Sequence, residues 1–213
     1  MDFGGASQTE EVETESPEPQ PIIVRPPSYV ERLDVHGIFS KRQRLEVELG
    51  SGDGSFLVQW ATVNPQTNFL GLERLLGRLK KIEKKSRRMG LANVRALRLE
   101  AAYFAEYLLP QDSVSAVHIY FPDPWPKRKH RQNRLVNDRF SEVLRAALSI
   151  GGVVYLRTDD TDYFTQMTEV FAVNKNFEAT TTPQTLAAVL TDFEREFNAR
   201  GIQTNRAAYC RAS

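Results

Sequence analysis

Cysteine is almost absent from this 213-residue sequence, which contains only Cys210. A single cysteine excludes an internal disulfide and supplies no pair of thiolates for a metal, so we expect no bound metal and a reducing compartment. Long apolar runs are also missing: none approaches the roughly 20 residues of a membrane-spanning helix, and no basic start with an apolar run opens the chain. The sequence therefore predicts a cytoplasmic protein with no membrane partner.

Positive charge is missing from the first twenty residues, which hold six acidic side chains and no Lys or Arg. They are rich in Glu, Pro, Ser, Thr and Gln and too poor in apolar groups to offset the entropy of ordering. We predict a disordered acidic tail over 1–20 and a single domain over 21–213. That domain carries 28 basic and 21 acidic side chains, a net charge of +7, which favours a polyanionic partner such as nucleic acid.

Short β-rich runs alternate with longer helical runs, a pattern typical of an α/β fold with a doubly wound, mostly parallel sheet. Residues 177–180 and 207–210 are predicted to close this sheet with one antiparallel strand near the C-terminus. The predicted parallel strands cover 45–49, 68–72, 94–97, 115–120 and 153–157.

The helices are predicted between these strands, and Gly151-Gly152 is interpreted as a helix stop and a turn into the last parallel strand. The predicted helices cover 55–61, 75–89, 102–107, 137–148, 162–173 and 192–199.

Three glycines in five residues, Gly50, Gly52 and Gly54, follow the first predicted strand. They let the backbone turn tightly and approach a ligand that side chains would exclude, so a nucleotide-like cofactor is indicated. The third glycine of a dinucleotide fingerprint would fall at Ser55, and the Lys-Ser/Thr ending of a P-loop is missing. These two absences argue against a dinucleotide cofactor such as NAD and against a nucleotide held by a P-loop.

Acidic residues surround this glycine turn. Glu48 precedes it, and a carboxylate there attracts a positively charged ligand such as S-adenosylmethionine while it repels pyrophosphate. Glu73 ends the next strand, where it can accept hydrogen bonds from both ribose hydroxyls. Glu100, after the third strand, is expected to meet the adenine amino group. We therefore predict that these three acids and the three glycines bind the cofactor.

The fourth strand leads into Phe-Pro-Asp-Pro-Trp-Pro at 121–126, followed by a strongly basic run over 127–134. Ligands of open α/β sheets bind beyond the carboxyl ends of the strands, so Asp123 is expected beside the methyl donor. The surrounding prolines limit its freedom before substrate arrives. The basic run, including Lys127, Lys129, Arg131 and Arg134, is expected to contact phosphates.

With these motifs the chain resembles the bacterial tRNA (guanine(46)-N7)-methyltransferases over roughly residues 44–206. The glycine turn is shared by many methyltransferases, whereas Phe-Pro-Asp-Pro-Trp with a trailing basic run is highly specific. One departure is Glu100, where the family typically has Asp or Asn before Ala. Further matching residues are Gly71, Leu72, Glu73, Arg134, Leu135, Gly151, Gly152, Thr158, Asp159, Thr191, Asp192, Phe193, Glu194, Phe197 and Gly201.

The resemblance implies a Rossmann-like class I methyltransferase, a monomer or homodimer, that transfers a methyl group from S-adenosylmethionine to N7 of guanine 46 in tRNA. Asp123 would join the cofactor site and act in catalysis. Lys127, Asp159, Thr191 and Glu194 would contact the tRNA or its target guanine, and residues 129–134 would form an RNA-contacting loop.

Guanine N7 carries a lone pair and no proton, so methylation there needs no general base. Asp123 and Asp159 are instead expected to stabilise the positive charge of the product, while Asp159 or Glu194 could accept hydrogen bonds from guanine N1 and its exocyclic amine. Two alternatives stay open: a methyltransferase of this fold that acts on another RNA or a small amine, and a non-enzymatic RNA-binding domain. The intact glycine turn with Glu48 and Glu73 argues against the second.

Overall fold

The computed structural model describes residue 1 and residues 20–212 of the chain. The prediction of a disordered tail over 1–20 therefore falls almost entirely outside the described residues. No helix in the described part of the chain is long and apolar enough to cross a membrane.

Eight strands form one sheet in the order β1-β4-β3-β2-β5-β6-β8-β7. Within the described residues β8 is the one strand that runs opposite to the others, which confirms the predicted mostly parallel sheet with one reversed strand near the C-terminus. The strands are β1 (Ile23–Val24), β2 (Arg44–Leu49), β3 (Thr67–Leu72), β4 (Val94–Leu97), β5 (Val114–Tyr120), β6 (Leu148–Thr158), β7 (Phe177–Thr180) and β8 (Asn205–Arg211).

Helices cover both faces of the sheet, as expected for strands that are apolar on both sides. A short π-helix, Phe104–Leu108, and a 3-10 helix, Arg128–Asn133, join them. The α-helices are α1 (Ser55–Val63), α2 (Leu76–Arg88), α3 (Ala101–Tyr103), α4 (Asp138–Ala147), α5 (Thr161–Val173), α6 (Gln184–Ala187) and α7 (Asp192–Ala199).

Adjacent residues of β3 show how the two faces are filled, because successive side chains of a strand point to opposite sides. Phe69 packs in a cluster with Leu57 of α1 and Leu79 of α2. Leu70 belongs to the larger cluster on the other face, which includes Leu144 of α4 and Met167 of α5. The core thus holds the carboxyl ends of β2, β3 and β5 in fixed positions.

The sheet extends from β2 on two sides, through β3 and β4 on one side and through β5 and β6 on the other. The chain returns from β4 to β5, on the far side of β2, and the strand order reverses there. The crevice of an open α/β sheet opens at such a reversal of strand order, beyond the carboxyl ends of the strands. Leu49 pairs with Leu72, and Glu48 pairs with His118, so the ends of β2, β3 and β5 lie side by side at this crevice.

Gly151 and Gly152 do not form the predicted helix stop and turn. Strand β6 begins directly after α4, at Leu148, and passes through both glycines. The pairing with β5 skips from Val114↔Leu148 to Ala116↔Val153, so the extra residues bulge out of the ladder, with Gly151 at φ 76°. A left-handed φ inside a bulge uses the conformational freedom of glycine as a helix C-cap does, and the sequence pattern does not separate the two.

Candidate active site

A cavity of about 910 Å³ opens at the carboxyl ends of the central strands. The glycine turn after β2 forms its floor, and the segment after β5 and the start of α7 form two walls. Its lining includes Glu48, Gly50, Gly52, Glu73, Glu100, Tyr120, Phe121, Asp123, Trp125, Arg134, Thr191 and Phe193. The structure therefore brings the expected cofactor residues other than Gly54, together with Asp123, into one cavity.

Gly50, Gly52 and Gly54 all have positive φ, at 86°, 55° and 77°. A Cβ on Gly50 or Gly52 would meet no atom within 4 Å, so the backbone of the turn faces open space. Gly54 caps α1, and a Cβ there would lie 2.8 Å from Ile82 Cγ1. The first two glycines leave room for a ligand, whereas the third is required by packing as well as by φ.

Gly71, next to the last residue of β3, packs against Ser51 of the glycine turn. A Cβ at this position would lie 2.6 Å from Ser51 Oγ. The amide of Ser51 donates to Leu72 O at 2.8 Å, which fastens the turn to β3. The role of Gly71 as a support was missed, although a glycine inside an apolar strand is itself a signal of close backbone approach.

Glu48 lies beneath the turn and is only 3% exposed. Burial raises the pKa of its carboxyl group to about 8, because desolvation penalises the charged form more than Ser51 and Arg157 favour it. Its Oε2 accepts no hydrogen bond from the described part of the chain. A buried carboxyl oxygen without a donor, beside a cavity, fits a ligand that brings a positive charge or an N–H group.

Glu73 and Glu100 differ from each other in how their carboxylates are used. Glu73 is buried, and its Oε1 accepts from the amide of Leu75 at 2.8 Å. Glu100 is exposed and caps α3, accepting from the amides of Ala102 at 3.0 Å and Tyr103 at 2.7 Å. Both line the cavity, but backbone amides already engage both oxygens of Glu100.

Asp123 lies in the cavity wall directly after β5, with its side chain exposed. Phe121 and Trp125 on either side have φ of 50° and 44°, a region that large side chains rarely adopt. The ring of His130 meets that of Trp125 edge-on at 5.9 Å. Backbone strain of this kind is stored where the surroundings hold it, so this segment is fixed rather than free.

Arg134 does not lie on the RNA-facing surface that the sequence predicts. Its side chain is 1% exposed and donates to Pro124 O at 2.7 Å and to Asp162 Oδ2 at 2.6 Å. Its guanidinium also stacks over the Tyr163 ring at 4.7 Å. Arg134 therefore holds the Asp123 segment against α5. Its side chain points inward because the Pro124 carbonyl, the Asp162 carboxylate and the Tyr163 ring bind it there.

Thr191 and Glu194, predicted to contact the tRNA or its target guanine, make hydrogen bonds within the protein, and Thr191 also lines the cavity. They form a capping box at the start of α7, and Glu194 is fully buried. Its carboxylate pairs with Arg157 at 2.7 Å and with Arg206 at 2.9 Å. The Thr-x-x-Glu spacing is itself a capping signature, so the sequence contained the signal for this structural role.

The remaining predicted substrate residues lie at the surface near the cavity. Lys127 and Lys129 are exposed, and Arg131 pairs with Asp162 at 2.7 Å. Asp159 follows β6 and is half-buried, and it does not line the cavity.

Four aromatic residues of the cavity were given no site role from the sequence: Tyr120, Phe121, Phe140 and Phe193. Tyr120 is buried, whereas Phe193 is 47% exposed. The rings of Phe121 and Phe193 lie 6.2 Å apart. Phe121 follows β5 and Phe193 lies at the start of α7, so the fold brings the two rings together in one cavity, which no local pattern predicts.

The fold is shared with solved methyltransferases. The structure of the 16S rRNA methyltransferase KamB matches with a TM-score of 0.59 and 15% identity, covering 80% of this chain and 89% of that one. TrmN from Thermus thermophilus matches with a TM-score of 0.56 and 18% identity, covering 79% of this chain and 44% of that one. At such identities the likeness concerns the fold alone, which is that of the Rossmann-like methyltransferases.

Sequence comparison narrows this class to one family. The profile of a family described as "putative methyltransferase" matches residues 42–210. A tRNA (guanine-N(7)-)-methyltransferase of Thermotoga maritima is 32% identical over 173 residues, which are 81% of this chain and 55% of that protein. A protein of the same name from Halorhodospira halophila is 30% identical over 182 residues, 83% of this chain and 79% of that protein. The chain spans about half the length of the first relative and most of the second, and it belongs to the tRNA (guanine-N(7)-)-methyltransferase family.

Proposed function

We propose that this protein transfers a methyl group from S-adenosylmethionine to N7 of a guanine in tRNA, forming 7-methylguanosine, in the cytoplasm. By family resemblance the target is guanine 46 of the variable loop. One observation carries the proposal: a single cavity is lined both by Glu48, under the glycine turn, and by Asp123, where the basic run begins. A donor on the turn and a base delivered by that run would meet there.

Residues of the cavity fit S-adenosylmethionine, which supplies an activated methyl group on a positively charged sulfur. The partnerless Oε2 of Glu48 suits the cationic end of the donor, and Glu73 suits its ribose hydroxyls. Glu100, capping α3 at the cavity edge, is proposed near the adenine. The open backbone at Gly50 and Gly52 leaves space for close approach.

In the proposed reaction the N7 lone pair forms a bond to the methyl carbon, and the electrons of the carbon–sulfur bond stay on sulfur. The products are S-adenosylhomocysteine and a cationic purine, and no proton has to be removed. Asp123, exposed in the wall and held by the strained segment around it, would stabilise the growing charge on the purine. Its contribution is electrostatic and positional rather than that of a base.

On the substrate side, Lys127, Lys129 and Arg131 would contact tRNA phosphates beside the cavity. Asp159 stays a proposed contact of the guanine edge. The exposed faces of Trp125 and Phe193, both in the cavity wall, would stack on the extruded base.

Transfer of a radiolabelled methyl group to unfractionated tRNA tests the proposal. We expect label in tRNA, release of 7-methylguanine on hydrolysis, and chemical cleavage of the tRNA strand at guanine 46. Label only in ribosomal RNA or in a small amine would support the first alternative instead. No label together with no thermal shift on adding S-adenosylmethionine would favour a non-enzymatic RNA-binding domain.

A further inference from the structure

The outward face of α2 carries a dense group of positive charges. The 13 residues of α2 contain seven lysines or arginines and one glutamate. Its inner face is apolar, since Leu79 and Ile82 are completely buried against the sheet. The charge is therefore confined to the exposed side of the helix.

Some of these cations have carboxylate partners. Arg78 lies 3.7 Å from Glu73, Lys85 lies 2.7 Å from Asp53, and Arg87 lies 3.0 Å from Glu83. The other four are exposed and form no ion pair within the described part of the chain. These four residues, called the α2 basic face below, are Lys80, Lys81, Lys84 and Arg88.

Within the α2 basic face, Arg88 complements the helix dipole in the last turn, whereas Lys80, Lys81 and Lys84 do not stabilise the helix in this way. Lys80 and Lys84, and likewise Lys84 and Arg88, are four residues apart, so like charges face each other across one turn. No acidic residue occupies the first turn, where it would complement the helix dipole. An external anion on this face would relieve the repulsion between these cations.

The α2 basic face begins at the mouth of the active-site cavity. Arg78 and Lys81 line that cavity, and from Lys81 to Arg88 the helix extends about 10 Å away from it. A second cavity of about 550 Å³ adjoins the start of α2 and is lined by three further arginines, Arg25, Arg74 and Arg98. The basic run after Asp123 contributes to a different wall of the cavity. Positive charge therefore flanks the site on two sides.

We propose that the α2 basic face is a second tRNA-binding surface, which takes the phosphate backbone of the substrate on the side of the cavity away from the 127–131 run. The inference rests on the proposed function and adds a contact surface to it. The occupant follows from charge complementarity, since a row of unpaired cations beside a base-sized cavity fits a continuous polyanion. Two separated anchors would hold the tRNA on both sides of its extruded base.

The test compares two triple variants of the full chain. The first, K80A/K84A/R88A, removes three charges from the α2 basic face at positions that do not line the cavity. The second, K41A/R42A/K175A, removes three exposed cations just before β2 and just before β7, at the amino ends of these strands and away from the cavity at the carboxyl ends. Both lose the same charge, and alanine is compatible with the α2 helix. For each protein, tRNA affinity is measured across a salt series, with methylation of tRNA and S-adenosylmethionine affinity as further readouts.

We expect the α2 variant to bind tRNA about tenfold more weakly at physiological salt, with a slope of log affinity against log salt smaller by about 3, one for each cation removed. Its donor affinity and its turnover at saturating tRNA should stay unchanged. The K41A/R42A/K175A variant should bind like the wild type.

If the α2 variant bound tRNA as tightly as the wild type, or if both variants lost the same affinity, the proposal of a tRNA-binding surface on α2 would be wrong. The proposed function would be unaffected, provided that the wild-type protein methylates tRNA. A wild-type protein that transfers no methyl group to tRNA would overturn the proposed function, and this inference with it.

Discussion

The guanidinium of Arg157 lies 2.7 Å from Oε2 of Glu194, and both side chains are buried. Arg157 also donates to the carbonyls of Val189 and Leu186, each at 2.7 Å. It therefore fastens the end of β6 to the segment that leads into α7. Phe193, which faces the cavity, is carried by that segment.

Replacing Glu194 with alanine should lower the free energy of unfolding by about 3–5 kcal/mol, because two arginines lose their buried counter-charge. Urea denaturation measures the change. Glu196→Ala, on the exposed side of the same helix, should stay within about 0.5 kcal/mol of the wild type. A stable Glu194→Ala protein with turnover reduced to background would instead return Glu194 to the guanine-contacting role that the sequence predicts.

Asp123→Ala should abolish nearly all methyl transfer without unfolding the protein. The side chain is exposed, so its removal should change stability by no more than about 0.5 kcal/mol. Single-turnover methylation of tRNA measures the effect, with Glu178→Ala on the exposed strand β7 as a charge-matched control. Near-normal turnover of the alanine variant would remove Asp123 from the chemistry.

Glu48 should make the ligand-free protein lose stability as the pH rises. Its folded pKa of about 8 lies above its ordinary value of 4.5, so between these values the folded protein keeps a proton that the unfolded chain has released. The free energy of unfolding should fall through this window, by on the order of a few kcal/mol relative to Glu48→Gln. Urea titrations of both proteins from pH 5 to pH 8 give the difference, and parallel curves would contradict the assignment.

The same carboxyl group should couple donor binding to protons. A cationic ligand favours ionised Glu48, so the affinity for S-adenosylmethionine should rise toward pH 8 and binding at pH 7 should release a proton. Calorimetry in buffers of different ionisation enthalpy measures that proton. The Glu48→Gln protein should bind weakly at every pH and release none.

The double variant Lys129→Ala, Arg131→Ala should bind tRNA more weakly with a flatter salt dependence, while its donor affinity stays intact. Fluorescence anisotropy with labelled tRNA across a salt series measures both effects. Arg134→Ala is the informative contrast, because its buried guanidinium holds the Asp123 segment. It should lower thermal stability, which the double variant should not do. Unchanged tRNA affinity in the double variant would count against the loop.

Much of the sheet is predictable from sequence because its strands are buried on both faces and stand out as apolar runs between glycines and prolines. The five central strands lie within a few residues of their predicted bounds at every amino end except that of β6. The glycine turn was equally predictable from sequence. Three of its five residues have positive φ, a conformation that glycine adopts far more readily than residues with a side chain.

The direction in which a charged side chain points was much less predictable. Arg134 and Glu194 stand in polar stretches that are typical of surfaces, yet both are buried by partners far away in the sequence, Asp162 and Arg157. Such pairing depends on how α5 and α7 dock, which local patterns do not encode. The short strand β1 was missed for a related reason, because its two residues are a strand only through their pairing with β4.

The two inward-turned arginines, Arg134 and Arg157, fasten two segments beside one chamber, the active-site cavity, through ion pairs in which at least one partner is shielded from water. Electrolyte weakens contacts between exposed charges far more than shielded ones. Raising the ionic strength should therefore release the polyanion while the chamber keeps its shape, so an activity lost in concentrated salt would return in full on dilution.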